Sequence, residues 1–244
     1  MMETVVLVAV GFLLGGIIKG ATGVGAPLIA VPVLTMFYDV QTAVILFAVP
    51  NCLPNIWQCW RYRKHRLATS FISKLAIAGG LGTLIGTVLL IQLPATFLKL
   101  VLALTVYGYI MFRCFKPGWY LQMPLAQKLV IPTAAIAGTL QGASGISAPV
   151  SVSFVSALRL ARPQFISTIS IYFLATSVVQ LPALLAFGLM TPGYLLFSTA
   201  AVLPLIAGMP IGSFLARKLS REHFDKVILF VLFVVATRLL IDLL

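Results

Sequence analysis

Carboxylates are scarce in this chain. Only Glu3, Asp39, Glu222, Asp225 and Asp242 occur in 244 residues, and the histidines are His65 and His223. All of them fall in loops or at the ends of apolar segments. No acid or imidazole is thus placed inside a membrane to relay protons or hold sodium, which argues against a cation pump or a carboxylate-based proton antiporter. An enzyme needs a nucleophile, an acid–base pair or a metal set. The apolar segments offer none, so no catalytic residue is assigned. Cysteine is rare too. Cys52, Cys59 and Cys114 are odd in number and lack a C-x-x-C spacing, so neither a disulfide framework nor a metal site is expected. Small apolar packing residues are the expected role for all three. No cofactor is expected.

Charge of either sign is sparse. Charged residues make up 9% of the chain against 61% hydrophobic, with a mean hydropathy of +1.09. A soluble domain needs more charge to solvate its surface. An all-α integral membrane protein is expected, because helices satisfy their own backbone in lipid. Unbroken apolar runs such as Val227 to Ala236 do not alternate as a β-barrel requires. The start, Met1-Met2-Glu3, has no Lys or Arg before the apolar stretch, so the first segment is expected to be retained rather than cleaved. A net charge of +12 suits nucleic acid in other proteins. Here the cations cluster in short loops, where they report membrane topology, and no nucleic-acid partner is expected. The lipid bilayer and a small anion are the expected partners.

What the chain does contain is one short motif written twice. Gly16-Ile17-Ile18-Lys19-Gly20-Ala21-Thr22-Gly23-Val24-Gly25-Ala26-Pro27 is echoed by Gly138-Thr139-Leu140-Gln141-Gly142-Ala143-Ser144-Gly145-Ile146-Ser147-Ala148-Pro149, 122 positions later. Apolar segments fall at 5–37, 40–60, 68–92, 95–115, 128–158, 164–187, 193–216 and 226–244. A spanning helix needs about 20 residues. Segments 5–37 and 128–158 would be roughly 45–50 Å long as straight helices, and the motif cuts both. Each is expected to be a re-entrant hairpin. Two repeats follow: residues 1–122, with hairpin 5–37 and helices 40–60, 68–92 and 95–115, and residues 123–244, with hairpin 128–158 and helices 164–187, 193–216 and 226–244.

Loop charge gives the orientation. The basic loop Trp60-Arg61-Tyr62-Arg63-Lys64-His65-Arg66 has a neutral counterpart near Gly188–Pro192 in the second repeat. The basic loop Arg217 to Lys226 has a nearly neutral counterpart at Leu93–Thr96. Basic loops swap places between the halves, which predicts two repeats of opposite orientation. The Arg113–Lys128 connection and Arg159–Arg162 fit the cytoplasmic side, and both termini are expected outside the cytoplasm. Gly82-x-x-x-Gly86 and Gly208-x-x-x-Gly212 have the spacing that lets helices approach closely. Packing is their expected role, within one chain or between copies, so a homo-oligomer stays open.

The hairpin tips carry the expected chemistry. Pro27 and Pro149 suit the first turn of a returning helix. Helix N-termini carry unsatisfied N–H groups and partial positive charge, and so favour anions. Two such ends are expected to point into the membrane centre from opposite sides. Gly23, Gly25 and Gly145 permit unusual dihedrals, and Thr22, Ser144 and Ser147 add hydroxyls. Lys19 is the only charge in its apolar run, with neutral Gln141 as its repeat partner. It is either a substrate-attracting cation or a lysine snorkelling to water. Asn51, Asn55 and Gln58 share one helix face. Asn55 and Gln58 map onto Ser177 and Gln180, with Tyr172 and Thr176 beside them. These groups either bind an oxyanion or hydrogen-bond between helices.

Together these features resemble the sulfite exporter TauE/SafE family. The resemblance is carried by the block Gly15–Pro32, its echo Gly138–Pro149 and eight apolar segments, and it covers essentially the whole chain. It implies a bacterial inner-membrane exporter of sulfite or organosulfonates such as sulfoacetate. The second copy departs from the first at Ser147, where the first has Gly25, and at Gln141, where the first has Lys19. An alternating-access carrier, with two inverted bundles rocking about the hairpin tips, is the first expectation. An anion channel or uniporter of the same fold is the second, and a membrane enzyme or assembly factor the third. Outward movement of an anion from a negative interior gains about 2.3 kcal/mol per charge per 100 mV, so export needs no coupling ion.

Overall fold

The computed structural model describes residues 2–115, 119–218 and 221–242, with side-chain surroundings for all of these except 2–5, 217 and 221–228. Lys116 and the Arg217, Arg221 and Lys226 side chains of the expected basic loops lie outside that description. Among the described residues the chain is helical throughout, without strands.

The first segment is broken as expected. Helix α1 (Met2–Thr22) stops at the motif and α2 (Ala26–Leu34) returns from it. Gly23 and Gly25 take φ values of 83° and 92°, which a side chain would resist. Asp39 then caps α3 (Val40–Arg61), its carboxylate accepting from the Thr42 N–H at 2.7 Å. Helices α4 (Thr69–Gln92) and α5 (Ala95–Phe115) complete the first half. The second half repeats the order. Helix α6 (Met123–Ser144) breaks at Gly145, φ 73°, and α7 (Ala148–Ala157) returns. Helix α8 (Arg162–Ala186) follows.

Three boundaries differ from expectation. Helix α6 starts five residues before 128 because Pro124 suits a first helical turn. The segment expected as one helix over 193–216 is two, α9 (Pro192–Ala200) and α10 (Val202–Lys218). Pro204 has no N–H for the Ala200 carbonyl, which ends α9 there. Helix α11 (Arg221–Ile241) includes a charged first turn that apolarity alone left out.

Four glycine pairs lock the halves together. A Cβ on Gly16 or Gly20 would overlap the Leu205 or Met209 carbonyl, and one on Gly208 or Gly212 would overlap Leu13 or Ile17. In the same way Gly138 and Gly142 of α6 lie against Gly79 and Thr83 of α4, while Gly82 and Gly86 lie against Ala135 and Thr139. Partner numbers rise together in both pairs, so α1 runs parallel to α10 and α4 parallel to α6. Among the described residues these are the two most extensive helix–helix contacts. The expected packing role of Gly82, Gly86, Gly208 and Gly212 is what the structure has. Helices α3 and α8 cross the centre antiparallel, with Asn51 bonded to Ser177 and Ser170 to Gln58. The apolar stretch of α3 is 72% buried, against 22% for α5, whose outer face is left for lipid. Cys52 and Cys59 are buried on α3, as packing residues should be, but Cys114 is exposed near the end of α5.

Candidate functional site

Each tip is anchored by one apolar side chain between its glycines and its proline. Val24 inserts into a core formed by α4, α6, α7 and α8. Ile146, its counterpart 122 positions on, inserts fully buried into the core around α2, α3 and α5. Each tip is thereby held largely by the other half. Gly23 lies against Ile166 and Gly145 against Val44, again a pair 122 apart. The tips do not meet head-on. Gly23 is reached by Gln58 near one end of α3 and Gly145 by Val44 near the other. Fourteen residues separate those two positions, about 20 Å along a helix, so the two tips lie well apart along α3.

Between them sits a polar chain at the middle of α3 and α8. Lys19, only 3% exposed, donates from Nζ to Asn55 Oδ1 at 2.8 Å. The Asn55 amide donates to the Asn51 carbonyl at 2.6 Å, and Asn51 Nδ2 donates to Ser177 Oγ at 3.1 Å. Lys19 does not snorkel. It is buried, uses one of its three N–H donors on Asn55, and takes part in neither described ion pair. Gln141 occupies the equivalent place in the second half, 1% exposed, and accepts from Ser147 Oγ at 2.9 Å.

The tips treat their acceptors and donors differently. Carbonyls at the end of α1 are met by side chains: Ser213 Oγ reaches Gly20 at 3.0 Å and the Arg162 guanidinium reaches Ala21 at 3.3 Å. Gln58 Nε2 reaches the Gly23 carbonyl at 3.1 Å. In the second half Gln180 Nε2 approaches the Gln141 and Gly142 carbonyls at 3.4 and 3.5 Å. At the N-termini of α2 and α7, by contrast, no side chain caps. Fewer N–H groups are free there than expected, because Pro27 and Pro149 have none and Leu28 and Val150 bond back to Gly25 and Ser147.

Several expected donors are occupied locally. Thr22 Oγ1 bonds the Ile18 and Val24 carbonyls, Ser144 Oγ the Leu140 carbonyl, and Thr176 Oγ1 the Phe173 carbonyl. Tyr172 is fully buried with its ring against Gly79. Its hydroxyl lies near Ser147 and has no hydrogen-bond partner. Arg162, Ser170 and Ser213 were not among the sequence candidates. Only Ser213 carried a signal, one position past the glycine pair of α10.

Ser198 on α9 is a further unanticipated member. Pro50 lacks the N–H that would bond the Leu46 carbonyl. Ser198 Oγ, fully buried, donates to that carbonyl at 2.9 Å and accepts from the Val49 N–H at 3.2 Å. It closes the gap in α3 one residue before Asn51. Ser198→Ala should cost about 1–2 kcal/mol by orphaning a buried carbonyl. In a Pro50→Ala background, where the backbone supplies the donor, the same change should cost far less. A thermal-unfolding double-mutant cycle checks this. Additive costs would mean that Ser198 does not serve the proline gap.

A separate cleft of about 540 Å³ opens beside the start of α3, lined by Asp39, Lys99 and Asp242 among others. Lys99 pairs with Asp242 at 3.7 Å there, so that cleft holds no unmatched cation like Lys19. Residues 7–239 match the family model described as Sulfite exporter TauE/SafE. Comparison with curated proteins and with solved structures gave no match.

Proposed function

Since the chain belongs to the sulfite exporter TauE/SafE family, it is a multi-pass membrane transporter of the sulfur-anion class, and we propose that it exports small sulfur oxyanions, sulfite or organosulfonates, by alternating access. The observation that carries this reading is Lys19, a buried amine in a membrane helix with an amide as its hydrogen-bond partner. An ammonium buried in a membrane without a countercharge is costly. A passing anion supplies that countercharge. Asn55 and Asn51 hold the Lys19 side chain in place, and the uncapped end of α2 follows it in the same hairpin. Gly23, Gly25, Gly145 and Ser147 shape those ends. Thr22, Gln58, Gln141, Ser144, Tyr172, Ser177 and Gln180 complete the lining or brace it.

Two inverted repeats fit the helix directions. Three crossings, α3 to α5, separate the hairpins, so α6 would enter from the face opposite α1. The parallel pairs α1/α10 and α4/α6 agree with that path. The exposed basic loop after α3 would lie in the cytoplasm of a bacterial inner membrane, and both termini outside it.

Purified protein in liposomes should move labelled sulfite or a sulfonate with saturating kinetics. Non-saturating flux at channel rates would replace the carrier by a channel. Cation flux without any sulfur-anion flux would remove the reading altogether.

A further inference from the structure

Three buried hydroxyl oxygens among the described residues have no hydrogen-bond partner, those of Ser153, Ser167 and Tyr172. A serine hydroxyl can turn back to a carbonyl of its own helix. A phenol cannot, because its ring holds the oxygen away from its own backbone. The Tyr172 side chain is fully buried and its ring is seated on Gly79, where a Cβ would lie 2.6 Å from Cε2. Its hydroxyl lies near Ser147, at the uncapped start of α7. Ser147 in turn donates to Gln141 Oε1. That leaves the two Gln141 Nε2 hydrogens as further donors beside the same residue. A buried polar group without a partner is a cost to the fold, and a ligand oxygen removes that cost.

This donor set belongs to the second half. The positions 122 earlier hold Pro50 for Tyr172, Gly25 for Ser147 and Lys19 for Gln141. The first half therefore presents an amine, and the second a phenol and an amide. Tyr172 joins the two places. Asn51 is level with Ser177 and Gln58 with Ser170 on the antiparallel pair α3 and α8. Asn55, which holds Lys19, is then level with Phe173, next to Tyr172. Tyr172 starts from the Lys19 turn and reaches with its hydroxyl toward the second tip.

We propose that the Tyr172 hydroxyl and the Gln141 amide receive an oxygen at the far end of a short organosulfonate whose sulfonate lies toward Lys19, so that the protein prefers two-ended sulfonates to those ending in a bare alkyl group. This rests on the transport reading above and narrows its substrate class. Neutral donors serve a carboxylate, a hydroxyl or a carbonyl oxygen, so the preference is for an acceptor and not for a second charge. A site built to hydrogen-bond a substrate oxygen rejects the analogue lacking it, because its own donors are then left unpaired.

2-Hydroxyethanesulfonate and ethanesulfonate make the test. They carry the same charge and differ by one terminal hydroxyl, so the comparison does not turn on the protonation of Lys19. Full-length protein in liposomes should move the hydroxylated anion with a kcat/KM about tenfold higher. Tyr172→Phe keeps the ring on Gly79 and removes one oxygen. It should bring that ratio toward unity through a higher KM for the hydroxylated anion, while the protein melts no lower than the wild type. The wild-type ratio needs no variant and decides the matter if the phenylalanine variant does not fold. Equal kcat/KM for the two anions in the wild type overturns the proposal and leaves the transport reading standing. So does a full preference kept by folded Tyr172→Phe, or flux of sulfite with neither sulfonate. Flux of no sulfur anion at all overturns both.

Discussion

Lys19→Met is expected to lower sulfur-anion affinity by roughly a hundredfold. Truncating one member of a buried charge pair costs about 2–5 kcal/mol, and each 1.4 kcal/mol or so is tenfold in affinity. Methionine keeps the stem and its packing while removing the ammonium. In the empty protein the relief of burying an amine without a countercharge offsets the donor that Asn55 Oδ1 loses. Stability should stay near that of the wild type while binding falls. That opposition separates a functional lysine from a structural one, whose loss would lower both. Calorimetric binding of methanesulfonate together with thermal unfolding checks the pair. Affinity within threefold of the wild type would remove Lys19 from the site.

Gly212→Val is expected to be the most damaging single change to the fold away from the tips. A Cβ there would overlap the Ile17 backbone, its carbonyl oxygen and carbon together. Backbone cannot rotate out of the way as a side chain does, so α1 and α10 must separate. Overpacking a tight core costs about 1–3 kcal/mol and sometimes more. Here the loss should reach at least 3 kcal/mol, since separation would also break the contacts of Gly16, Gly20 and Gly208. Gly108 is the control. A Cβ on it meets nothing within 4 Å, and alanine is favoured over glycine in a helix by about 1 kcal/mol. Gly108→Ala should therefore be neutral or stabilising. Detergent-solubilised protein melted under one condition compares the two. A Gly212→Val protein as stable as wild type would mean that the α1/α10 contact is looser than drawn.

Much of this architecture could be read from the chain. Both breaks follow from an apolar run too long for one crossing with Gly and Pro in its middle. The repeated numbering paired Lys19 with Gln141, Asn55 with Ser177 and Gln58 with Gln180 before any coordinates. The Gly-x-x-x-Gly pairs announced close helix contacts, though not which helices would meet. That choice is made by tertiary packing, and local spacing has no access to it. The same limit hid Ser198 and Arg162, which act on carbonyls more than a hundred residues away. The α9–α10 break had a local cause in Pro204, but unbroken apolarity across it outweighed that signal. The tips were expected to face each other because the polar motif drew attention. Val24 and Ile146, the apolar residues inside it, carry each tip past the midpoint into the opposite core.

The two parallel glycine contacts bear on how such a carrier can move. Helix α1 is fastened to α10 and α4 to α6, so the opening helix is riveted to a late one and the middle of the chain to an early one. A motion that swung residues 1–122 against 123–244 would tear both seams. The rigid pieces are instead drawn across the sequence repeat, the first hairpin travelling with α10 and the second with α4. The repeated motif and the helix packing divide this chain along different lines. Two fragments cut between the repeats should consequently rejoin when made together, each being unfinished without the other's helix.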